Sequence, residues 1–245
     1  MDRVIYVAMT GAREITQQQA VVSHNLSNVS TTGFKSEMNV FRALPVVGDG
    51  AKTRAFVLET TPTNDYSSGV LQATGRNLDV AVNGQGWIAV QGTDGQEAYT
   101  RMGDLQTSSD GVLQTGTGHT VMGDGGPISV VPGQQILIAK DGTVSTTPIG
   151  QGQNAVTIAG RIKLVNPPES DLVRGDDGLF RLSSGQPAPA DANVNLAVGT
   201  LESSNVNPTD ALVKMISLGR QFDLQMRVLT AANDNDKDAN KIITA

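Results

Sequence analysis

The two ends of the chain carry small and apolar residues at helical spacing. In the first segment, alternating steps of four and three residues connect Val4, Ala8, Gly11, Ile15, Gln18 and Val22. A neighbouring stripe contains Ile5, Ala12, Gln19 and Leu26. This heptad-like spacing predicts a helix over residues 1–30 with a mostly small, partly polar seam. We expect Thr31, Thr32 and Gly33 to end the helix, because glycine tolerates a left-handed turn and threonine disfavours continuation.

The last segment has the same kind of pattern and a defined start. Asn207, Pro208 and Asp210 suit the N-cap, first and third positions of a helix. The helical spacing then continues through Leu212, Met215, Gly219, Phe222, Met226, Leu229, Asn233, Asp236, Asn240 and Ile243. This predicts a helix over residues 207–245, with a length of roughly 50 Å. Because so long a helix needs a partner for its apolar stripe, we expect it to pair with the first helix.

The middle of the chain is rich in turn signals. Dipeptides that favour positive-φ turns between antiparallel strands occur at Asp49-Gly50, Asn83-Gly84, Asp94-Gly95, Asp110-Gly111, Asp124-Gly125, Asp141-Gly142 and Asp177-Gly178. The runs between them predict strands at 78–82, 87–91, 135–139, 160–165 and 179–182. We therefore predict a β-rich domain over residues 76–182, with extended connectors over residues 31–75 and 183–206.

The fold class that follows is mainly β with α-helical ends. A β-rich central domain is expected beside a discontinuous, coiled-coil-like helical domain, which the N- and C-terminal segments form together.

Composition narrows the range of partners and chemistry. Among 245 residues the net charge is −6, aromatic residues make up 4% and cysteine is absent. The acidic balance argues against nucleic acid, and the scarcity of large side chains argues against a small-molecule substrate. Without cysteine there are no disulfides, thiolate nucleophiles or cysteine zinc sites. The first 20 residues lack the apolar stretch of a cleavable secretory signal.

Few residues suit catalysis or metal binding. The chain has only two histidines, His24 and His119, and no nucleophile elbow, phosphate loop or zinc-binding helix motif. Asp234, Asp236 and Asp238 have the spacing of a calcium loop, but alanines stand at the positions that need glycine and glutamate. We therefore expect no catalytic site, no cofactor and no metal, and the chain is not predicted to be an enzyme.

The two terminal seams are the strongest functional signal. Asparagine and glutamine on such seams reduce stability but fix register and partner choice. A helical hairpin inside one soluble domain is one explanation for them. Narrow stripes bury poorly against a single partner, however, which favours packing among several subunits. The expected subunit-interface residues are Val4, Ala8, Gly11, Ile15, Val22, Asn25, Leu26, Asn28, Leu212, Met215, Gly219, Phe222, Met226, Leu229, Asn233 and Ile243.

Motifs beside both seams resemble those of the flagellar rod and hook proteins. The N-terminal signature, residues 24–35, has the sequence HNLSNVSTTGFK, and the C-terminal signature, residues 201–208, has the sequence LESSNVNP. Residues 78–86 (LDVAVNGQG) and 99–104 (YTRMGD) are similar to β-domain motifs of the same family. The resemblance covers nearly the whole chain, in order.

The resemblance implies a structural subunit of the flagellar basal body. Its partners would be copies of itself and other flagellar rod proteins, assembled into an axial tube that crosses the periplasm and transmits torque. Export would proceed through the flagellar export apparatus without a cleaved signal peptide. Residues 122–128 and 174–181 favour a proximal-rod member. The alternatives are a distal rod or hook subunit and, in another class, a β-rich cell-wall glycosidase with paired carboxylates.

Overall fold

The chain folds into two compact units. The computed structural model describes residues 2–45, 55–148 and 156–244. The helical unit comprises Met1–Val29, Lys35–Asp65 and Val206–Ala245. The β unit comprises Ser30–Phe34 and Tyr66–Asn205. Each unit therefore contains segments that are far apart in the sequence.

Two helices and a β-hairpin form the helical unit. Helix α1 spans Asp2–Ser27 and helix α2 spans Pro208–Thr244, while strand β1 (Glu37–Pro45) pairs antiparallel with β2 (Ala55–Asn64). The hairpin occupies a region where we expected an extended connector. Two adjacent extended segments satisfy each other's backbone hydrogen bonds, so pairing is favoured over two isolated strands. The Asp49-Gly50 turn signal lies outside the described residues.

Side-chain hydrogen bonds mark the C-terminal end of α1 and the N-terminal end of α2. Asn207 Oδ1 accepts hydrogen bonds from the Thr209 and Asp210 amides at 3.0 and 3.4 Å, so the predicted N-cap of α2 is confirmed. Helix α1 ends at Ser27, earlier than expected. Ser27 Oγ and Asn28 Nδ2 each donate to the His24 carbonyl at 2.9 Å. These local bonds compete with continuation of the helix.

In the described part of the β unit there are sixteen short strands. They are β3 (Leu71–Ala73), β4 (Val80–Asn83), β5 (Trp87–Gln91), β6 (Glu97–Thr100), β7 (Leu105–Thr107), β8 (Leu113–Thr115), β9 (Met122–Gly123), β10 (Gly126–Pro127), β11 (Gln134–Ile138), β12 (Thr143–Pro148), β13 (Thr157–Arg161), β14 (Leu164–Val165), β15 (Leu172–Arg174), β16 (Phe180–Leu182), β17 (Asn195–Val198) and β18 (Thr200–Glu202). A short 3-10 helix at Glu169–Asp171 precedes β15.

Antiparallel pairing organises these strands into small sheets. The largest has the order β14-β5-β6-β16-β15, and β11-β12-β13 forms a second. Strands β17 and β18 pair with β4 and β3, within the region where we expected a connector over 183–206. That region pairs because its alternate residues Val194 and Leu196 are buried in the core, 3% and 2% exposed.

Two apolar clusters fill the β unit, one on each side of β5. Ile88 and Val90 belong to the larger cluster, whereas Trp87 and Ala89 belong to the smaller one. Successive side chains of a strand point to opposite faces, so β5 is buried on both sides. Tyr99 lies in the smaller cluster, where burial raises its pKa to about 12.

The turn predictions agree with the strand connections at several positions. Gly95 has φ 78° between the paired strands β5 and β6, and Gly142 has φ 85° between β11 and β12. In each turn the preceding aspartate accepts an amide hydrogen bond from the residue after the glycine, at 3.0 and 3.1 Å. At Asp124-Gly125 the positive φ falls instead on Gly126.

Neither described helix has the combination of length and apolar character that crossing a bilayer requires.

Candidate assembly surfaces

Helices α1 and α2 pack against each other through a small apolar core. Ile15, Val22 and Leu218 are buried in it. The register is visible at two glycines: a Cβ added to Gly11 would lie 3.3 Å from Gln225 Cδ, and one added to Gly219 would lie 3.8 Å from Gln19 Nε2. Each helix therefore places a glycine opposite a glutamine of the other, and the two helices run antiparallel.

Five of the sixteen predicted interface residues are buried or packed against this core within the helical unit. Ala8, Ile15 and Val22 are buried, and Met215 and Phe222 are packed against the same core. These positions support the simpler explanation that the seams also serve pairing within the chain.

Other predicted interface residues point away from it. Leu212 and Met226 are 49% and 44% exposed, and Asn233 is exposed as well. The partly exposed members of the set are Gly11, Leu26, Asn28, Gly219 and Leu229. The side chains of Val4 and Ile243 lie outside the described part of the chain.

Asn25 has a local structural role. Its side-chain Oδ1 accepts a hydrogen bond from the Glu37 backbone N–H at 2.9 Å, and its Nδ2 donates to the Glu37 carbonyl at 2.8 Å. These two bonds fix the first residue of β1 to the end of α1. His24 is close by, with its Nδ1 3.3 Å from Glu37 Oε2. Both side chains thus join the helix to the hairpin within the helical unit.

A second apolar stripe on α2 was missed by the sequence reasoning. It consists of Val213, Ile216, Leu224 and Val228, with exposed fractions of 62%, 58%, 58% and 46%. At 3.6 residues per turn these side chains fall within an arc of about 120°, roughly opposite the stripe that packs on α1. We call these four residues the outer stripe. The signal for it is a second apolar period in the sequence of α2, interleaved with the one that predicted the seam.

Asp177, from a predicted turn, and Asp234, from the calcium-loop spacing, both form ion pairs. Asp177 accepts hydrogen bonds from Arg181 through both carboxylate oxygens, at 3.0 and 2.7 Å, and these bonds hold the pKa of Asp177 below its usual value. Asp234 Oδ1 lies 3.2 Å from Lys237 Nζ on the exposed surface of α2. In the ranges that the structure describes, no three His, Cys, Asp or Glu side chains are grouped as metal ligands.

The parts of the two signatures that belong to the β unit are hydrogen-bonded to each other. The Gly33 amide donates to the Glu202 carbonyl at 2.8 Å, and the Asn205 amide donates to the Phe34 carbonyl at 3.4 Å. Phe34 is buried, and the Arg174 guanidinium lies 4.7 Å from the centre of its ring. These hydrogen-bonded pairs are 169 and 171 positions apart in the sequence.

An ion pair lies beneath this meeting point. Arg101 Nη1 is 3.0 Å from Glu202 Oε2, and the two side chains are only 4% and 0% exposed. Arg101 Nη2 also donates to the Gly84 carbonyl at 2.7 Å, and its guanidinium lies 5.4 Å from the centre of the Trp87 ring. Nothing in the sequence pattern indicated that Arg101 and Glu202 would pair.

The chain is similar in sequence to known proteins. Family models match at residues 5–35 (Flagella basal body rod protein), 81–146 (Flagellar hook protein FlgE/F/G D1 domain) and 197–242 (Flagellar basal body rod FlgEFG protein C-terminal). The chain is similar to the flagellar basal-body rod protein FlgF of Salmonella typhimurium, with 43% identity over 250 residues, 100% of this chain and 99% of the relative. FlgF of Escherichia coli is 44% identical with the same coverage. The chain belongs to the flagellar basal-body rod protein family.

Membership in the rod protein family explains where the matched segments lie. The first and third family models contain the signatures together with α1 and most of α2, whereas the second covers β5 to β11. A rod protein of Bacillus subtilis, FlgG, is also similar, with 30% identity over 258 residues and 96% of each chain. The chain is a structural subunit of the flagellar basal-body rod and not an enzyme, as the sequence analysis predicted.

Proposed function

We propose that the helical unit assembles with copies of itself and with other rod proteins into the axial tube of the proximal rod, where it transmits torque. The observation that carries this proposal is the outer stripe of α2. A helix with apolar residues on two opposite sides is stable in water only if both sides are covered. Helix α1 covers one side of α2, so we expect a neighbouring subunit to cover the outer stripe.

The size of the stripe suits an assembly of many subunits better than a stable pair. The four side chains of the outer stripe form a narrow apolar surface. Such a surface is smaller than the roughly 800 Å² per partner that a stable dimer buries. Contacts that do not close on themselves build a tube, and many weak contacts then add together.

The proximal position is supported by the pattern of similarity. Two FlgF relatives are 43% and 44% identical to this chain and three others 29–33%, whereas three FlgG relatives are 29–30% identical. A distal rod or hook subunit is therefore the less favoured member of the same class.

The outer stripe can be tested by introducing charge. We expect Ile216→Lys and Leu224→Lys to leave the monomer folded, since both side chains are exposed, and to abolish incorporation into rods and swimming. The matched control is Gln221→Lys, an exposed polar position of the same helix. Isolated basal bodies and swimming in soft agar measure the two effects. Normal rods with either stripe variant would overturn the proposal.

Export without cleavage is a separate part of the proposal. The first 20 residues form most of α1, whose side chains Ala8, Ala12 and Ile15 are buried in the helical unit. Removing this segment as a signal peptide would remove one partner of α2. We expect mass spectrometry of the subunit extracted from basal bodies to find the segment intact, apart from processing of Met1. A mature N-terminus beyond Ala20 would contradict export by this route.

A further inference from the structure

We infer that Arg101 and Glu202 are positioning residues for rod assembly, which fix the segments that connect the two units. This inference rests on the proposed function. The chain passes between the units at Val29/Ser30, Phe34/Lys35, Asp65/Tyr66 and Asn205/Val206. On the β-unit side, the adjoining segments 30–34, 66–70 and 202–205 are bound to one another. We call these three segments, together with Arg101, the connector junction.

Hydrogen bonds hold the three segments of the connector junction together. In addition to the Gly33 and Asn205 amide bonds described above, the Ser203 amide donates to the Val70 carbonyl at 2.9 Å. Glu202 Oε1 accepts a hydrogen bond from the Gly69 amide at 2.9 Å. Glu202 therefore contacts both other segments, one through its carbonyl and one through its carboxylate. Its second carboxylate oxygen binds Arg101.

Two glycines allow the backbones to approach this closely. A Cβ on Gly33 would lie 2.3 Å from the Arg101 carbonyl carbon, and Gly33 has φ +66°, which side chains disfavour. A Cβ on Gly69 would lie 1.9 Å from the Ser203 carbonyl oxygen. Gly33 thus serves the junction, six residues beyond the end of α1, and not the helix terminus that we expected it to form.

The energetics of a buried ion pair favour a positioning role. Arg101 and Glu202 lose nearly all their hydration, so the cost of burial offsets much of their attraction, and an apolar pair of similar volume commonly serves stability as well or better. Directional bonds differ from apolar contacts because they fix the arrangement of the groups that they join. The ion pair therefore specifies how the three connecting segments lie against one another. Force applied to the helical unit in a rod reaches the β unit through these segments.

The deciding variant is the apolar double substitution Arg101→Met/Glu202→Leu. It removes both charges together and so avoids leaving one buried charge unpaired, which would unfold the unit. We expect its β unit to unfold near the wild-type denaturant midpoint, as measured by fluorescence of Trp87, the single tryptophan. Hydrogen exchange of the Gly33 and Ser203 amides in the full-length monomer should rise at least about tenfold, and swimming should be lost.

The matched control is Lys163→Met/Glu97→Leu. This ion pair is also in the β unit, with side chains 16% and 13% exposed and a separation of 2.8 Å, and the side-chain hydrogen bonds of Glu97 go to Lys163 and Tyr99, outside the connecting segments. We expect exchange at Gly33 and Ser203 to remain at the wild-type rate, and swimming to be normal.

The outcomes separate this inference from the proposed function. Wild-type exchange and normal swimming in the apolar double variant would overturn the positioning role, because the connecting segments would then be held without the ion pair. Loss of a folded β unit in that variant would also overturn it, since the pair would then be needed for folding. Raised exchange with normal swimming in the apolar double variant would show that the connector junction is not needed for assembly. Normal swimming with Ile216→Lys would count against the proposed rod function itself.

Discussion

The β unit and the helical unit differ in how they bury apolar side chains. Two clusters in the β unit contain 17 and 7 buried apolar residues among those described, whereas the cluster between the helices contains 3. Among the described residues, large apolar side chains that are more than half exposed occur in both units: Tyr6, Met9, Val213, Ile216 and Leu224 on the helices, and Val70, Val131, Val156, Ile158 and Val173 in the β unit. The two units therefore differ in the size of their buried cores, which is large in the β unit and small between the helices.

This difference suits a rod protein in which one unit is stable alone and the other is stabilised by assembly. A unit that is complete by itself keeps its shape while the chain is free. A helix pair that is incomplete by itself gains stability when subunits associate, because association removes its remaining apolar surface from water. The following experiments test whether the two units differ as described, from the largest expected effect to the smallest.

Truncation in the core of the β unit should have the largest effect. Leu113 is 0% exposed, so Leu113→Ala removes a fully buried side chain and leaves a cavity. We expect the free energy of unfolding to fall by about 2–5 kcal/mol. Urea unfolding followed by Trp87 fluorescence measures this change. Val173→Ala, at a position that is 54% exposed, is the control and should change it by less than about 0.5 kcal/mol.

The same type of substitution in the helical unit should affect the helices only. Leu218 is 3% exposed and central to the small interhelical core, so we expect Leu218→Ala to destabilise the helix pair by about 2 kcal/mol. Circular dichroism at 222 nm should show that the helices melt at a lower temperature, while the unfolding midpoint reported by Trp87 fluorescence is unchanged. Leu224→Ala on the outer stripe is the control. A shift of the Trp87 midpoint with Leu218→Ala would show that the units unfold together.

Acid should weaken the β unit through a specific carboxylate. Hydrogen bonds from Arg181 hold the pKa of Asp177 below its ordinary value of 3.8. A lowered folded-state pKa contributes stability above the unfolded pKa, and this stability is lost as pH falls through the folded pKa. Below about pH 4 the wild type should therefore lose about 1 kcal/mol more than Asp177→Asn. Urea unfolding of both proteins at about pH 6 and about pH 3 tests this.

The exposed ion pairs of α2 should show the smallest effect. Lys237 and Asp234 are 62% and 60% exposed, so water screens their attraction. We expect Asp234→Asn to leave both helix melting and its acid dependence unchanged within error. An effect as large as that of Asp177→Asn would mean that the end of α2 is less exposed in the free chain than the structure shows.

Local sequence signals predicted the two helices and several of the strands and turns. The N-cap at Asn207, the Asp94-Gly95 and Asp141-Gly142 turns and the strand at 87–91 were all predictable, because each depends on residues close together in the chain. The family resemblance was also present in the sequence, since the two signatures are continuous motifs. These features together were enough to predict helical ends, a β-rich middle and a rod subunit.

Contacts between distant residues decided the rest. The hairpin of β1 and β2, the pairing of β17 and β18 with β4 and β3, and the outer stripe depend on which surfaces the folded chain covers. Gly33 looked like a helix terminus, yet its close approach to Arg101 gives it a place in the connector junction. The Arg101–Glu202 pair joins residues 101 positions apart, so no local pattern could indicate it. Periodicity shows that a helix has an apolar side, but only the tertiary structure shows which side is already covered.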